Sequence, residues 1–315
     1  MPEPAPDRAA PPSGVHALVT GASGFVGHHL VAHLEAMGDT VTPVDRADGS
    51  IDIIDAEAVH EVIDRTRPDV IYHLAGWADV GGSWSAPVES FRANAEGTLN
   101  VLTAAGDVGV GRVLSVSSAD VYGKVREIDL PLTEDSPLRP VSPYAASKVA
   151  ADYLGLQAWL GRGTPVLRVR AFNHLGPGQS NKFVAAALAS RIAHNELSGG
   201  DTITIGDLSA RRDFTDVRDV VRAYRMLVQH GEPGEVYNVC SGVDVSVQEL
   251  ADQLVAQATR PMRFEVDPDL LRPVEVPVLR GDHQRLTKAT GWEPDIPLGQ
   301  TLADLLEDWR QRASP

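Results

Sequence analysis

The sequence predicts an α/β fold in which a doubly wound parallel sheet carries helices on both faces. Short β-branched runs alternate with longer helical patterns through the first 171 residues, and such alternation is typical of strands joined by crossover helices. A glycine-rich loop directly follows the first run. The chain has 315 residues, 43% of them hydrophobic, which suffices to bury a sizeable core.

Each element follows from its local pattern. The predicted strands are 16–20, 40–45, 69–75, 112–118, 165–171 and 235–241. The predicted helices are 26–37, 56–66, 91–105, one that begins near Ser142, and an amphipathic one near the C-terminus. After residue 172 the alternation loosens, and "NHLGPGQSN" predicts a loop. We therefore expect 15–172 with about 210–240 to form a dinucleotide-binding domain, and 173–209 with 241–315 to form a smaller, discontinuous substrate lobe.

Composition limits the location and partners of the protein. The net charge of −15 opposes non-specific binding to nucleic acid or to an anionic membrane surface. The single cysteine, Cys240, excludes an intrachain disulfide and fits a reducing cytoplasm. Residues 1–14 are rich in proline and alanine and lack a signal-peptide core, so we expect a disordered tail. No stretch approaches the ~20 apolar residues of a membrane span. We expect a cytoplasmic protein without nucleic-acid or membrane partners.

The loop after the first strand, "VTGASGFVGHHL", has the features of a dinucleotide site. Gly21 permits a tight turn, Gly24 lets the backbone approach a pyrophosphate, and Gly27 lets the next helix pack closely on the sheet. The helix N-terminus then offers free N–H groups to the phosphates. The spacing is G-x-x-G-x-x-G rather than the general G-x-G-x-x-G. An ordinary tight turn is the alternative.

The end of the second strand bears on the choice of dinucleotide. Asp45 lies about twenty residues after the loop, where a carboxylate binds the ribose hydroxyls and repels a 2′-phosphate, which favours NAD(H). Arg46 could instead attract the phosphate, so NADP(H) stays possible. Asp52 and Ile53 are candidates to flank the adenine, with a simple turn role as the alternative for Asp52. We expect no metal site.

Tyr144 and Lys148 share one helix face at i and i+4. Free tyrosine titrates near pH 10. A neighbouring ammonium stabilises the phenolate and lowers its pKa, which suits acid–base chemistry. The alternative is an ordinary helix pair. Context favours chemistry, because "SVSSADVYG" ends the preceding strand where open α/β sheets bind ligands. Ser118 can donate to a substrate oxygen there, although turn formation also explains Ser117 and Ser118.

With "GASGFVG", "SSADVYG" and the Tyr144–Lys148 pair in this order, the chain resembles the extended short-chain dehydrogenases/reductases over roughly residues 15–312. The resemblance implies a Rossmann-like domain that binds NAD(P), a sugar-nucleotide lobe, and a Ser-Tyr-Lys triad at Ser118, Tyr144 and Lys148. The residues assigned to the cofactor are Gly21, Ser23, Gly24, Phe25, Val26, Gly27, Asp45, Arg46, Asp52, Ile53, Leu74, Ala75, Ser117, Tyr144 and Lys148.

The two positions after Ser118 bear on the reaction. Family dehydratases place an acid–base pair there, whereas this chain has Ala119 and Asp120. Further segments, such as "RAFNHLGPGQ" and "ARRDFTDVRDVVRAY", resemble the branch of the GDP-mannose dehydratases and GDP-6-deoxymannose reductases. The resemblance implies NAD(P)H-dependent reduction of the C4 ketone of a GDP-4-keto-6-deoxyhexose to GDP-D-rhamnose. The alternatives are an NAD-dependent 4-epimerase, a GDP-mannose 4,6-dehydratase and a non-catalytic dinucleotide-binding regulator.

The same resemblance assigns a substrate site and an oligomer. It places Asn173, Arg212 and Arg272 at a nucleotide diphosphate, for which guanidinium groups are suited; solvated or ion-paired arginines are the alternative. It favours a GDP-sugar over a UDP-sugar. It also implies a homodimer formed by two helices per subunit, about 91–105 and 143–160. The remaining predicted substrate residues are Ser83, Trp84, Ser118, Ala119, Asp120, Lys182 and Phe183.

Overall fold

The computed structural model describes residues 14–47, 49–267 and 276–314. Its main sheet has six parallel strands in the order β2-β1-β3-β4-β5-β9. These strands are β1 (His16–Thr20), β2 (Thr40–Val44), β3 (Val70–His73), β4 (Arg112–Ser118), β5 (Val166–Ala171) and β9 (Val236–Val239). All six predicted strands are present, and the predicted doubly wound fold is confirmed.

Helices cover both faces of the main sheet. One face carries α1 (Phe25–Ala36), α7 (Val217–His230) and α9 (Gln284–Thr290) over a core that contains Leu30 and Val169. The other carries α2 (Ala56–Thr66), α4 (Gly97–Val108) and α5 (Pro143–Arg162) over a core that contains Ile71 and Val113. Central parallel strands are buried on both faces. β3 and β5 are buried along their whole length, and the two arginines of β5, Arg168 and Arg170, pair with Asp152.

The strand order places a ligand crevice beside the first strand. β1 pairs with β2 on one side and with β3 on the other, so the chain crosses back over β1 after β2. The loops that leave β1 and β3 therefore diverge at their carboxyl ends, and open α/β sheets bind ligands at such a switch point. The glycine loop follows β1, and the serine-rich end of β4 lies at the same edge of the sheet.

A smaller lobe is built on the second half of the chain. Its sheet has the order β10-β8-β12, with β6 also paired to β8, and a separate pair joins β7 to β11. Its apolar core combines residues of three helices with those of the strands. These elements are β6 (Asn173–Leu175), α6 (Val184–Ser198), β7 (Thr202–Ile205), β8 (Arg211–Asp216), β10 (Asp244–Ser246), α8 (Val247–Val255), β11 (Arg263–Val266), β12 (Val278–Leu279) and α10 (Leu298–Ala313).

The segment 210–240, which we expected in the dinucleotide-binding domain, is divided between the two sheets. α7 and β9 pack on or in the main sheet, whereas β8 pairs with β6, β10 and β12. The buried carboxylate of Asp213 fastens β8 to the smaller lobe by accepting from the backbone N–H groups of Ser241, Gly242 and Gly281. Pairing partners, which a local pattern does not contain, decide this assignment.

The helix predicted at 91–105 is interrupted in its first part. A short helix α3 (Pro87–Phe91) leads into a π-helical turn (Arg92–Glu96), after which α4 begins. Within the described ranges, no helix combines the length and apolarity that crossing a membrane requires. Apart from Gly14, the predicted tail lies outside the described residues.

Candidate active site

The glycine loop has the geometry of a phosphate cradle. Gly21 adopts a positive φ of 75°, and Gly24 is the N-cap of α1 without a side-chain cap. A Cβ atom on Gly27 would lie 2.2 Å from the Gly21 carbonyl oxygen, and one on Gly21 would lie 2.7 Å from the Ala75 nitrogen. Glycine is therefore required where the backbone crowds, and the uncapped amides at the start of α1 remain available to an anion. This loop fits the pyrophosphate of a dinucleotide.

Asp45 is joined to the glycine loop. One of its carboxylate oxygens accepts from the Ser23 N–H at 3.1 Å, and the other accepts from the Ala47 N–H at 2.8 Å. The predicted ribose carboxylate and the predicted phosphate loop therefore lie at one edge of the sheet. Arg46 is exposed beside them.

The two residues predicted at the adenine have other contacts in this structure. Asp52 Oδ1 accepts from the Ile54 N–H at 3.1 Å, which forms the turn before α2. Ile53 is buried in the apolar core, where its side chain fills the space above Gly97. Neither residue lines the pocket described below.

A pocket at the carboxyl ends of β1, β3, β4 and β5 contains all three predicted triad residues. Ser118 ends β4, and Tyr144 and Lys148 lie in the first two turns of α5, whose N-cap is Ser142. The Ser118 hydroxyl lies close enough to the Tyr144 phenol to lower its pKa. The pocket is lined by Phe25, Val26, Leu74, Gly76, Trp77, Ala78, Val80, Val116, Ser117, Ser118, Ala119, Asp120, Tyr144, Lys148, Ala171, Phe172, Asn173, His174, Gln179, Phe183 and Tyr224.

Two hydrogen bonds hold α5 against the end of β4. Lys148 Nζ donates to the Val116 carbonyl oxygen at 3.1 Å, and Ser117 Oγ donates to the Lys148 carbonyl oxygen at 3.0 Å. Ser117, predicted at the cofactor, therefore also positions the lysine backbone. The pairing of one strand end with one helix turn places Ser118 beside Tyr144.

The electrostatics of this pocket differ from our expectation. Burial raises the pKa of the Tyr144 phenol, and Asp120 raises it further, while the nearby Ser118 hydroxyl lowers it. Burial also lowers the pKa of Lys148 to about 8. The net shift of the tyrosine pKa is therefore upward rather than downward as expected, because burial outweighs any lowering by the ammonium. Tyr144 is therefore a neutral phenol at neutral pH, which is the form that donates a proton.

A buried amide positions both the triad helix and the loop after β3. Asn94 lies in the π-helical turn, and its Nδ2 donates to Ser147 Oγ at 2.9 Å on α5. The Ser147 hydroxyl in turn donates to the Tyr144 carbonyl oxygen at 2.6 Å. Asn94 Oδ1 accepts from the Trp77 N–H at 2.9 Å. One side chain thus couples a wall of the pocket to the backbone of Tyr144.

His73, at the end of β3, is a packed core histidine. Its two ring nitrogens bond to Thr20 Oγ1 at 2.8 Å and to Thr98 Oγ1 at 3.0 Å. Burial lowers its pKa to about 3, so the ring is neutral. Thr20 also accepts from the Ala75 N–H at 3.2 Å, which holds the β3 loop beside the glycine loop.

The structure brings part of the predicted substrate site together. Asp120 and Asn173 line the pocket, as do Ala119 and Phe183. Burial raises the pKa of Asp120, while the facing Arg212 lowers it. Lys182 is exposed and is not among the lining residues. Arg272 lies outside the described residues.

Ser83 and Trp84 do not reach this pocket. Ser83 is fully buried, and its hydroxyl donates to the Val80 carbonyl oxygen at 2.7 Å and accepts from the Tyr144 N–H at 3.2 Å. Its contacts are those of a residue that positions the start of α5. Trp84 is exposed on the surface. Neither residue is among those that line this pocket, because the short helical turn at 82–84 directs the chain under α5, and their contact with substrate stays a prediction.

Several lining residues were not predicted from the sequence. Trp77 and Gly76 follow the end of β3, and the rule that ligands bind at the carboxyl ends of strands could have indicated them. His174 and Gln179 belong to the Gly-Pro-rich loop that the sequence marks. Tyr224 gives no such signal, because it has the spacing of a core position on α7.

Sequence and structure comparisons place the chain among known proteins. The family model described as GDP-mannose 4,6 dehydratase matches residues 18–305. The chain is 40% identical to the GDP-6-deoxy-D-mannose reductase of Pseudomonas aeruginosa, over 94% of this chain and 97% of that one. It is 32% identical to the UDP-glucose 4-epimerase of Mycolicibacterium smegmatis, over 94% of this chain and 99% of that one.

A solved structure has the same architecture. The structure of RMD from Pseudomonas aeruginosa complexed with NADPH superposes with a TM-score of 0.88 at 40% identity, covering 95% of this chain and 99% of that one. The glycine loop, its joined carboxylate and the triad pocket fit the dinucleotide that such proteins use. The chain therefore belongs to the GDP-mannose 4,6-dehydratase family of extended short-chain dehydrogenases/reductases, which are NAD(P)-dependent nucleotide-sugar enzymes.

Proposed function

We propose that the protein reduces the C4 ketone of a GDP-4-keto-6-deoxyhexose, forming GDP-D-rhamnose. The observation that carries the proposal is one pocket lined by Ser118, Ala119 and Tyr144, in which burial keeps the tyrosine a neutral phenol. A neutral phenol is the acid that a ketone reduction needs, and alanine supplies no acid for dehydration. The 40% identity to a GDP-6-deoxy-D-mannose reductase supports the same reaction.

In this reaction the chain's own residues bind, orient and protonate. When bound, the nicotinamide supplies the hydride to C4. Ser118 donates a hydrogen bond to the ketone oxygen and holds it beside Tyr144. Tyr144 transfers its proton to the oxygen as negative charge develops there, which completes the alcohol. Lys148 lies one helical turn from the tyrosine and stabilises the phenolate until a proton returns from solvent.

The second lobe supplies the anion site. Arg212 Nη1 donates to the backbone oxygens of Arg211 at 2.8 Å and Pro277 at 3.4 Å, and its other N–H groups have no acceptor among the described residues. Burial lowers the pKa of Arg212, and Asp120 opposes this. A half-buried guanidinium with free donors fits the diphosphate of a nucleotide sugar. The relative named above supports a GDP-sugar rather than a UDP-sugar.

Two neighbouring residues at the end of β2 have opposite effects on the dinucleotide preference. Asp45, joined to the glycine loop, favours NAD(H), whereas the exposed Arg46 can meet the 2′-phosphate of NADP(H). A related structure holds NADPH. Comparing kcat/KM for NADH and NADPH in the wild type and in Arg46→Ala tests the assignment. A larger loss with NADPH than with NADH is expected if Arg46 binds the phosphate.

The decisive experiment follows reduced dinucleotide absorbance with GDP-4-keto-6-deoxymannose. Turnover with this ketone is expected. Its absence, together with turnover of UDP-sugars, would overturn the proposal. Tyr144→Phe should lower kcat by at least about 100-fold, because the proton donor is lost. Tyr153→Phe is the matched control, since Tyr153 lies on the same helix but outside the pocket, so the change should leave kcat unchanged.

A 4-epimerase is the second candidate. The identity of 32% to a UDP-glucose 4-epimerase favours it, and Ala119 is compatible with it. An epimerase returns its hydride to the sugar, so it needs no net reductant and retains NAD⁺ between cycles. Identifying the dinucleotide released on denaturation separates the two. Stoichiometric NAD⁺ in purified protein and no net consumption of NADH or NADPH would favour the epimerase.

We further propose a homodimer formed through α3, α4 and α5. Val88 and Phe91 continue with Leu99 along one helix face, and Tyr153 and Leu160 lie seven residues apart on the neighbouring α5. All five are exposed in the single chain. Adjacent exposed apolar stripes on two packed helices suit a four-helix contact with a second copy.

Sedimentation tests the homodimer. The wild type should sediment as a dimer, and the double change Phe91→Glu with Leu160→Glu should give a folded monomer. Ile128→Glu is the control, because Ile128 is exposed but lies outside these helices. A monomeric wild type would contradict the proposal.

We also propose a cytoplasmic location. The one cysteine, Cys240, is buried and unpaired, which supports this location.

A further inference from the structure

The loop 176–179, with the sequence Gly-Pro-Gly-Gln, is fastened to the start of α1, the helix that follows the glycine loop. His29 Nε2 bonds to the Pro177 carbonyl oxygen at 2.7 Å. The ring of His174, just before the loop, stacks on Phe25 with centroids 6.1 Å apart and an interplanar angle of 13°. The loop therefore belongs to the dinucleotide side of the pocket, although it is part of the second half of the chain.

The C-terminal helix holds the other side of this loop. Asp308 accepts from the Gly178 N–H at 3.0 Å, and Arg312 donates to the Gln179 carbonyl oxygen at 3.5 Å. Arg312 and Asp308 also form an ion pair at 2.9 Å. The loop is thus held from both α1, at Pro177, and α10, at Gly178 and Gln179, before any ligand binds.

The side chain of Gln179 is buried with one half of its amide satisfied. The residue is 4% exposed and lines the pocket with Tyr144 and Lys148. Its Nε2 donates to the His174 carbonyl oxygen at 2.9 Å, which fixes the orientation of the amide. Its Oε1 has no hydrogen-bond partner within the described part of the chain. A buried acceptor without a donor is unfavourable, so a ligand that supplies the donor gains affinity.

We propose that Gln179 Oε1 accepts a hydrogen bond from the carboxamide N–H of the nicotinamide and so positions the ring in the pocket. The donor belongs to the dinucleotide rather than to the sugar because the loop is fastened to Phe25 and His29, next to the glycine loop. The inference rests on the proposed function only in taking a nicotinamide dinucleotide as the ligand. Gln179 is a positioning residue, which fixes the face and depth at which the ring is held.

Binding of the reduced dinucleotide, measured by its fluorescence without any sugar, tests the contact. The two ligands are NADPH and its 3-acetylpyridine analogue, which keeps the carbonyl and lacks the amide N–H. Wild-type protein should bind the analogue about 10-fold more weakly, the usual effect of leaving one buried polar group unpaired. Gln179→Leu should bind both ligands with the same Kd, because the discriminating acceptor is gone.

Two control variants separate this contact from a structural effect. Arg312→Met loosens the loop but keeps the acceptor, so it should change the Kd of both ligands by one common factor and preserve their ratio. Gln248→Leu changes an exposed glutamine on α8 and should behave as wild type. If Gln179→Leu does not fold, as judged by its thermal transition, Gln179→Met is used instead, because its side chain has similar length.

The outcome that overturns the inference is equally specific. A Gln179→Leu protein that still prefers NADPH to the analogue by the wild-type factor would exclude the carboxamide contact. If the ratio is unchanged and only the KM for the sugar rises, the donor is a sugar hydroxyl and the inference is also wrong. Because the binding experiment contains no sugar, a failure of the proposed reductase activity leaves its result interpretable.

Discussion

At the scale of single residues, burial dominates the chemistry of the triad. Tyr144 and Lys148 are each 8% exposed, and desolvation disfavours the charged form of both. The tyrosine is held as a phenol, and the lysine loses its proton more readily than a free lysine. The shift of the tyrosine keeps its hydroxyl uncharged, which suits an enzyme that donates a proton to its substrate, whereas the lysine, with a pKa of about 8, is still mostly protonated at neutral pH.

The depressed lysine pKa predicts a pH-dependent stability. The folded pKa is about 8 and the usual value 10.5, so the unfolded chain binds more protons between these values. Stability from this residue therefore rises as the pH increases from about 8 toward 10.5. Between pH 7 and pH 10, the free energy of unfolding of the wild type should increase by about 2 kcal/mol relative to that of Lys148→Met. Urea unfolding of both proteins at the two pH values measures this, and parallel pH profiles would contradict it.

Tyr122 and Tyr224 are both buried, but loss of the hydroxyl should destabilise the protein much more at Tyr122 than at Tyr224. Tyr122 donates to Asn238 Oδ1 at 2.6 Å, whereas the Tyr224 hydroxyl has no partner in the described ranges. Tyr122→Phe should lower the free energy of unfolding by about 1–2 kcal/mol, because Asn238 loses its donor. Tyr224→Phe, without ligands, should lower it by less than about 0.5 kcal/mol or raise it. Equal losses in denaturant unfolding would show that Tyr224 is satisfied in solution.

At the scale of elements, α5 is tied to the sheet by a buried ion cluster. Asp152 is 2% exposed and accepts from Arg168 at 2.7 Å and from Arg170 at 2.9 Å, both on β5. This cluster fixes α5 over the strand next to β4, so it sets the position of Tyr144 relative to Ser118. Neither the two strand arginines nor the helix aspartate would be tolerated alone, because an unpaired buried charge is strongly unfavourable.

Removing the shared carboxylate should therefore be severe. Asp152→Ala is expected to lower the free energy of unfolding by about 3–5 kcal/mol, because two guanidinium groups stay buried without a counterion. Glu96→Ala is the control: it removes an exposed partner of Arg92 and should change stability little. Chemical denaturation of both variants measures the difference. If the two substitutions lowered the free energy of unfolding by similar amounts, the Asp152–Arg168–Arg170 cluster would have to be accessible to water.

At the scale of the whole molecule, ligand binding and stability are coupled through the glycine loop. Gly27→Ala would place a Cβ atom 2.2 Å from the Gly21 carbonyl oxygen, so the loop must distort. At an NADPH concentration 100 times its Kd, the free energy of unfolding of the wild type should increase by about 2.7 kcal/mol. In Gly27→Ala, most of this increase should be absent at the same concentration. In Gly299→Ala, the new Cβ atom on α10 has no neighbour within 4 Å, so the full increase should remain. An undiminished increase in Gly27→Ala would place the dinucleotide elsewhere.

The two lobes meet at the pocket, and each contributes to it. The glycine loop and the triad come from the first half of the chain, whereas Phe183 and Gln179 come from the second. The contact of His29 with Pro177 holds the second-half loop against α1, and the contact of Gly178 with Asp308 holds it against α10. Residues from both halves of the chain therefore line one pocket.

Local periodicity and spacing along one strand or helix were sufficient to predict the sheet, the glycine loop and the positions of Ser118, Tyr144 and Lys148, which line one pocket. Strand pairing and burial depend on residues that are far apart in the chain. The tertiary structure was therefore needed to assign β8 to the smaller lobe and to show that Ser83 lies under α5. The protonation of Tyr144 was decided there too: spacing brings an ammonium near a phenol, but the surrounding packing determines how much water remains to stabilise either charge.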